Sequence, residues 1–155
     1  MEQLKEGDTA PLFKGKDQDE KWVGLEDFHG KKIILYFYPK DDTPGCTAEA
    51  CNFRDNFEEL LSKGFAIIGV SPDNEKSHAK FRSKFDLPFS LIADPEARII
   101  QDYHAWGEKN MYGKKYMGVL RTTYIIDESG KILKIIKKVD THNPTGQILD
   151  ELGIK

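Results

Sequence analysis

Pro39-Lys40-Asp41-Asp42-Thr43-Pro44-Gly45-Cys46-Thr47-Ala48-Glu49-Ala50-Cys51 is the stretch on which the fold of this chain turns. The apolar run Ile33 to Tyr38 precedes it and reads as a buried strand, bounded by Gly30-Lys31-Lys32 and by Pro39. A helical pattern follows. Ala50, Phe53, Phe57, Leu60 and Leu61 share one face, Arg54, Asp55, Glu58 and Glu59 lie opposite, and Gly64 supplies the stop. The stretch is therefore a strand-to-helix junction, with Thr43 as N-cap and Pro44 as the first helical residue. It also holds both cysteines of the chain. Cys46 is expected in the first helical turn, where backbone N–H groups lack an intrahelical partner and their partial positive charge favours a thiolate. A thiolate is the reactive form of cysteine, so Cys46 is a candidate nucleophile.

Outward from this junction the order of elements is strand, helix, strand, helix, strand, helix, hairpin, helix. Phe65 to Val70 reads as a second buried strand, ended by Ser71-Pro72-Asp73. Glu75 to Phe85 has helical spacing at Ala79, Phe81 and Phe85 and stops before Pro88. Phe89 to Ala93 is a third strand. Pro95 to His104 reads as a short helix with Asp94 as its cap and proline at the first position. Val119 to Ile126 and Lys131 to Val139 form a hairpin around Asp127-Glu128-Ser129-Gly130. The last helix starts at Asn143-Pro144 and carries Ile148, Leu149 and Leu152 on its apolar face. Near the start, Leu12-Phe13 and Trp22-Val23 flank a charged turn at 17–20 and predict a small extra hairpin. The polar, glycine-containing segment from Trp106 to Gly118 is expected to be a long loop. Its Met111, Tyr112 and Tyr116 either pack that loop down or cap a substrate cleft. Strands joined by crossover helices make a parallel core and the final hairpin adds antiparallel strands, so the fold class is α/β with a mixed sheet.

Composition limits the function. The 155 residues are 39% hydrophobic and 32% charged and are expected to form one domain, 1–155. A total of 23 basic residues against 26 acidic ones gives a net charge of -3, and no call for nucleic acid or an anionic membrane as partner. Met1 to Asp8 is polar, without the apolar stretch of a signal peptide, and no run approaches the ~18 apolar residues of a membrane span. A cytosolic location is the expectation. In a reducing compartment a close cysteine pair is catalytic, redox-sensing or metal-binding more often than structural. Two cysteines cannot complete a four-ligand zinc site, and the histidines (His29, His78, His104, His142) are scattered, so no metal is expected and the histidines read as structural or exposed. Trp22, Trp106 and the phenylalanines read as core.

Spacing narrows the cysteine chemistry further. Residues five apart on a helix lie about 140° apart around the axis and about 7.5 Å along it. A disulfide needs α-carbons roughly 4.4–6.8 Å apart. An intact helix cannot close Cys46 onto Cys51. Either the pair never bonds, or the first turns unwind when it does.

Pro39-x-x-x-Thr43-x-x-Cys46 matches the signature of peroxiredoxins. The longer string Tyr36-Phe37-Tyr38-Pro39, Thr43-Pro44-Gly45-Cys46-Thr47 and Glu49-Ala50-Cys51 resembles the subgroup named for bacterioferritin comigratory protein. Gly7-Asp8-Thr9-Ala10-Pro11, Leu87-Pro88-Phe89 and Arg121-Thr122-Thr123-Tyr124-Ile125-Ile126-Asp127 extend the resemblance over almost the whole chain. It implies a thioredoxin-like fold, a mixed central sheet flanked by helices with an N-terminal hairpin addition. The implied activity is a thiol peroxidase acting on hydrogen peroxide and organic hydroperoxides, in antioxidant defence, without a cofactor.

The resemblance also implies residue roles. Cys46 is the nucleophile and becomes a sulfenic acid. Thr43 presents its hydroxyl to peroxide and thiolate, and Pro39 shields the pocket. Arg121 favours the thiolate and donates to the peroxide. Backbone N–H groups of Gly45 and Cys46 complete the cradle. Cys51 resolves the sulfenic acid as an intrachain disulfide, and thioredoxin or a similar dithiol restores the pair. A monomer is expected. Asp41 and Asp42 put two negative charges near Cys46 and are expected to point to solvent beside Lys40.

Taken alone, each of these residues has a plainer reading. Cys46 can be an inert buried thiol, Cys51 a small core residue beside Ala50 and Phe53, and Arg121 a strand arginine in a surface ion pair. Two other functions stay open: a copper-binding protein holding Cu(I) with two thiolates and a histidine, and a redox sensor that passes oxidation to a partner through Cys46. Peroxide turnover without a partner protein separates the peroxidase from both.

Overall fold

A computed structural model describes residues 3–154. Its centre is built from β3 (Lys32–Phe37) and β4 (Phe65–Ser71), paired in parallel from Lys32↔Phe65 to Phe37↔Val70. Both strands are near-continuous apolar runs because both faces of the sheet are covered. Pleating sends Leu35 and Phe37 to one core layer and Ile34, Tyr36 and Tyr38 to the other. Tyr36 lies over Gly69, where a Cβ would come 2.9 Å from its ring, so the glycine makes room for the tyrosine.

Around this pair, among the described residues, a seven-stranded sheet runs in the order β2-β1-β5-β4-β3-β8-β9. β5 (Ser90–Ala93) joins β4 in parallel, while β8 (Thr122–Ile126) and β9 (Ile132–Ile136) are antiparallel to their neighbours. The expected N-terminal hairpin is present as β1 (Lys14–Lys16) and β2 (Trp22–Gly24), joined to β5 through Lys16↔Ala93. Helices α1 (Pro44–Asp55), α2 (Phe57–Ser62), α3 (Glu75–Phe85) and α5 (Pro144–Glu151) supply Phe53, Leu60, Phe81 and Ile148 to the layer around Tyr36. The short α4 (Arg98–Asp102) packs Ile99 and Ile100 into the layer on the other face. The mixed α/β class stands as read from the sequence.

Several elements differ from expectation, each for a local reason. The helix after Cys46 is two helices. Asn56, at φ -110 and ψ 13, leaves helical geometry between them, its side chain donating to the Asn52 carbonyl at 2.8 Å, and Leu61, expected on the apolar face, is 40% exposed. The helix expected from Pro95 starts at Arg98, because Ala97 is left-handed at φ 56. Asp94 still caps it, accepting from the backbone N–H groups of Arg98 and Ile100. The expected loop from Trp106 to Gly118 is a hairpin, β6 (Trp106–Met111) and β7 (Lys114–Val119). Both turn residues, Tyr112 at φ 54 and Gly113 at φ 80, adopt the left-handed geometry that tight hairpins favour. Met111, Tyr112 and Tyr116 are exposed rather than packed down. Val119 ends β7, so the following strand begins at Thr122. Trp22 is 64% exposed, lying under the Lys16 ammonium instead of in the core.

Candidate active site

Helix α1 places the cysteine as its sequence predicts. Thr43 is the extended N-cap, Pro44 opens the helix, and the first helical bond runs from the Thr47 N–H to the Thr43 carbonyl. The N–H groups of Gly45 and Cys46 therefore belong to the turn that has no i−4 partner, and they give this end its positive character. Cys46, Glu49, Ala50 and Phe53, spaced i, i+3, i+4, i+7, form the buried face of α1. Cys46 is 1% exposed, so its thiol is set in the core layer against the sheet.

Arg121 reaches this site from the segment between β7 and β8, 75 residues away in sequence. Its Nη2 donates to Cys46 Sγ at 3.2 Å and its Nη1 to Glu49 Oε1 at 2.8 Å. A Cβ on Gly45 would lie 3.4 Å from Nη2, so the bare glycine leaves the guanidinium open toward the helix end. One half-buried cation thus serves two acids on one helical face. The sequence reading named Glu49 only as part of a motif. Its place three residues after Cys46, on the same face of a helix, was the signal that it belongs to the site.

Burial pushes the Glu49 carboxyl up to about 7, outweighing the pull of Arg121 toward the ionised form. The geometry agrees: Glu49 is fully buried, and its Oε2 has no hydrogen-bond partner. The folded state therefore binds the Glu49 proton more tightly than the unfolded chain, whose reference value is 4.5. That contribution to stability is complete below 4.5 and is lost as pH rises through about 7. We expect Glu49→Gln to remove a pH-dependent loss on the order of 3 kcal/mol over this window. Denaturant melts of both proteins at several pH values check it, and equal pH slopes would contradict it.

Lys109, on β6, is half-buried, and its ammonium is pushed down by burial and by Arg121 while Cys46 pulls the other way. The β6–β7 hairpin therefore lies within electrostatic reach of the thiol. The remaining sequence candidates sit further out. The Thr43 hydroxyl donates to the Lys40 carbonyl at 2.8 Å, not to Cys46. Pro39 follows the end of β3 and is half-buried, with no polar contact to the thiol. Cys51 is half-buried on the same continuous helix, and both cysteines are free.

The expectation that Asp41 and Asp42 both face solvent holds only for Asp42, which is exposed and paired to Lys84 at 2.7 Å. Asp41 is buried. It accepts from Tyr38 Oη at 2.6 Å and Ser77 Oγ at 2.7 Å, and pairs with the buried His78 at 2.7 Å. A charged residue can be buried when it is paired and hydrogen-bonded, which the sequence alone does not display.

Comparison with known proteins agrees with this geometry. The AhpC/TSA family model matches residues 6–135. Peroxiredoxin Bcp of Bacillus subtilis is 43% identical over 146 residues, 94% of this chain and 93% of that protein. Peroxiredoxin Bcp of Escherichia coli K12 is 40% identical over 152 residues, 98% of this chain and 97% of that protein. Among solved structures, peroxiredoxin Q of Xanthomonas campestris superposes with a TM-score of 0.86 at 31% identity, covering 94% of this chain and 98% of the other. The Xylella fastidiosa homologue gives 0.91 at 27% identity, covering 99% and 98%.

Proposed function

Because this chain belongs to the AhpC/TSA family, as a peroxiredoxin of the Bcp type with a thioredoxin-like fold, we propose that Cys46 is its peroxidatic nucleophile and Cys51 its resolving thiol. The protein is a thiol peroxidase, an oxidoreductase that takes peroxide substrates and a thiol reductant. The observation that carries the residue assignment is the 3.2 Å contact between Arg121 Nη2 and Cys46 Sγ at the N-terminal turn of α1. A guanidinium faces the sulfur at the positive end of a helix, an arrangement that suits a thiolate and offers a donor to the oxygen that acquires charge.

The cycle follows from these positions. The Cys46 thiolate attacks one peroxide oxygen and the O–O bond breaks. The leaving alkoxide or hydroxide takes a proton, so a hydroperoxide gives Cys46 sulfenic acid and an alcohol, and hydrogen peroxide gives water. The Cys51 thiol then attacks the sulfenic sulfur and an S–S bond forms as water leaves. A dithiol, for which thioredoxin is our proposal, reduces the disulfide by exchange and is itself oxidised. Thr43 and Pro39 shape the approach to the sulfur, and the Gly45 N–H completes the cradle. A cytosolic monomer suits the scheme, since the Cys46–Cys51 bond lies within one chain. Peroxide loss with reduced thioredoxin alone, turning over many equivalents, is the test. Turnover that requires a further client protein would favour the sensor reading.

Resolution has a structural cost. Cys46 and Cys51 lie on an unbroken helix, and residues at that spacing cannot meet without unwinding. Amide exchange from Thr43 to about Phe53 is expected to rise when the protein is oxidised. Equal protection in the reduced and oxidised forms would contradict the intrahelical disulfide.

A further inference from the structure

The turn that leads into α1 is fastened from outside by a buried polar cluster that takes no direct part in the chemistry. Asp41 is its hub. The Asp41 N–H donates to Asp73 Oδ2 at 2.8 Å, and Ser71 Oγ donates to the same oxygen. The Asp41 carboxylate accepts from Tyr38 at the exit of β3 and from Ser77 and His78 on α3. His78 is fully buried, and its Nε2 faces the Ile92 carbonyl of β5 at 3.0 Å. A carbonyl can only accept, and an ionised carboxylate can only accept. Nε2 therefore donates to the Ile92 carbonyl, and Nδ1 pairs with the Asp41 carboxylate at 2.7 Å, which holds the ring between the two. Three elements besides the turn itself, β4, α3 and β5, converge on this one aspartate.

Immediately after this hub the chain is held less firmly. Asp42 adopts the left-handed region at φ 57, where a residue with a Cβ is disfavoured, and its pairing to Lys84 is solvent-exposed. The Thr43 hydroxyl is tied back to Lys40 in the same turn, and its carbonyl accepts the first helical bond from Thr47. From Cys46 on, the first turn of the helix is held by its own ladder and the Cys46–Arg121–Glu49 contacts, and its later turns by the buried Ala50 and Phe53 and by Asn52, which accepts from the Thr145 N–H. Between the hub at Asp41 and the buried helical face that begins at Cys46, the chain thus passes through a strained, exposed residue at Asp42.

The geometry points to Asp41 and His78 as positioning residues that fix the origin of α1 and so set the balance between the two cysteine reactions. With the hub intact, the Gly45 and Cys46 N–H groups are aimed and Sγ is held against Arg121, as peroxide attack requires. The same hub is the fixed hinge from which α1 unwinds when Cys51 approaches. Loosening it misplaces the sulfur for the first reaction and lowers the barrier to unwinding in the second. A residue that only supports the fold would slow both steps. A positioning hinge moves them in opposite directions.

This inference rests on Cys46 and Cys51 acting as proposed above, and the test keeps the two apart. Reduced wild type, His78→Ala, Ser77→Ala, Asp41→Ala and Asp41→Asn are mixed rapidly with hydrogen peroxide. Sulfenic acid formation and disulfide formation are timed separately by quenched mass spectrometry. His78→Ala and Asp41→Ala are expected to slow sulfenic acid formation by about tenfold or more, as small misplacements of reacting groups do. Disulfide formation from the sulfenic acid is expected to become severalfold faster. Ser77→Ala removes one of the hydrogen bonds to the hub and shows the same pattern more weakly. Asp41→Asn can accept from Tyr38 and donate to a neutral His78, so it is expected closer to wild type than Asp41→Ala in both steps. Where His78→Ala or Asp41→Ala does not fold, Ser77→Ala decides by the same criterion. Both steps slowed in parallel, or neither changed in folded variants, would overturn the inference. A wild type that forms no sulfenic acid or disulfide would instead overturn the cysteine assignment beneath it.

Discussion

Cys46→Ser is expected to abolish peroxide reduction while leaving the protein folded. Sulfur can be a thiolate near neutral pH and attack a weak O–O bond, whereas a serine hydroxyl stays protonated and is a poor nucleophile toward peroxide oxygen. Removing the nucleophile from a hydrolytic enzyme costs on the order of 10⁶ in rate, and nothing else described in this site is a thiol near Arg121. The fold should persist, because serine is close to cysteine in size and its oxygen can take over as acceptor for Arg121 Nη2, which now donates to Sγ. Peroxide consumption with excess dithiol checks it, with circular dichroism as the control for folding. Turnover within tenfold of wild type would mean that Cys46 is not the attacking group.

Arg121→Ala is expected to lower kcat/KM for peroxide by about 10²- to 10³-fold, the usual loss when a donor to developing charge is removed. Two effects add. The sulfur loses its cationic partner at 3.2 Å, and the oxygen in flight loses a donor. Glu49 loses its neutralising partner as well and will take up a proton rather than remain a bare buried carboxylate. Peroxide consumption at varied peroxide concentration checks it, with circular dichroism as the control for folding. An Arg121→Lys variant keeps the charge but not the forked geometry, and is expected to recover only part of the loss. Wild-type kinetics in Arg121→Ala would reduce the arginine to a structural partner of Glu49.

Much of the molecule was legible because local and global signals agree there. Ile33 to Tyr38 is apolar on both faces, as a central parallel strand must be, and Thr43-Pro44 is a helix start by backbone chemistry alone. The same two facts place Cys46 at the helix N-terminus. The β6–β7 hairpin escaped because it stands off the main sheet, so its exposed lysines and methionines carry no alternation to read. The helix divides at Asn56, whose backbone leaves helical geometry, and periodicity does not register that.

The candidate site shows the same division. Cys46 at the helix start and Thr43 as its cap follow from local sequence, whereas the roles of Gly45 and Cys51 came from the resemblance to known chains. Local sequence does not give Arg121, since its reach to the thiol depends on the pairing of β8 with β3. Asp41 was read as solvent-facing because two aspartates beside a lysine usually are. Its burial depends on His78, 37 residues on, supplying the opposing donor. Tertiary electrostatics decided both residues, and only a resemblance to known chains pointed to the first.

The account's central claim is that Cys46 attacks and Cys51 resolves. It is tested most directly by mass spectrometry of the reduced protein after one equivalent of hydrogen peroxide, with Cys51→Ser treated alongside. Wild type is predicted to lose two hydrogens with both cysteines in one disulfide-linked peptide, and Cys51→Ser to gain one oxygen on Cys46. Unmodified thiols in both proteins, or an oxygen on Cys51 in the wild type, would contradict it.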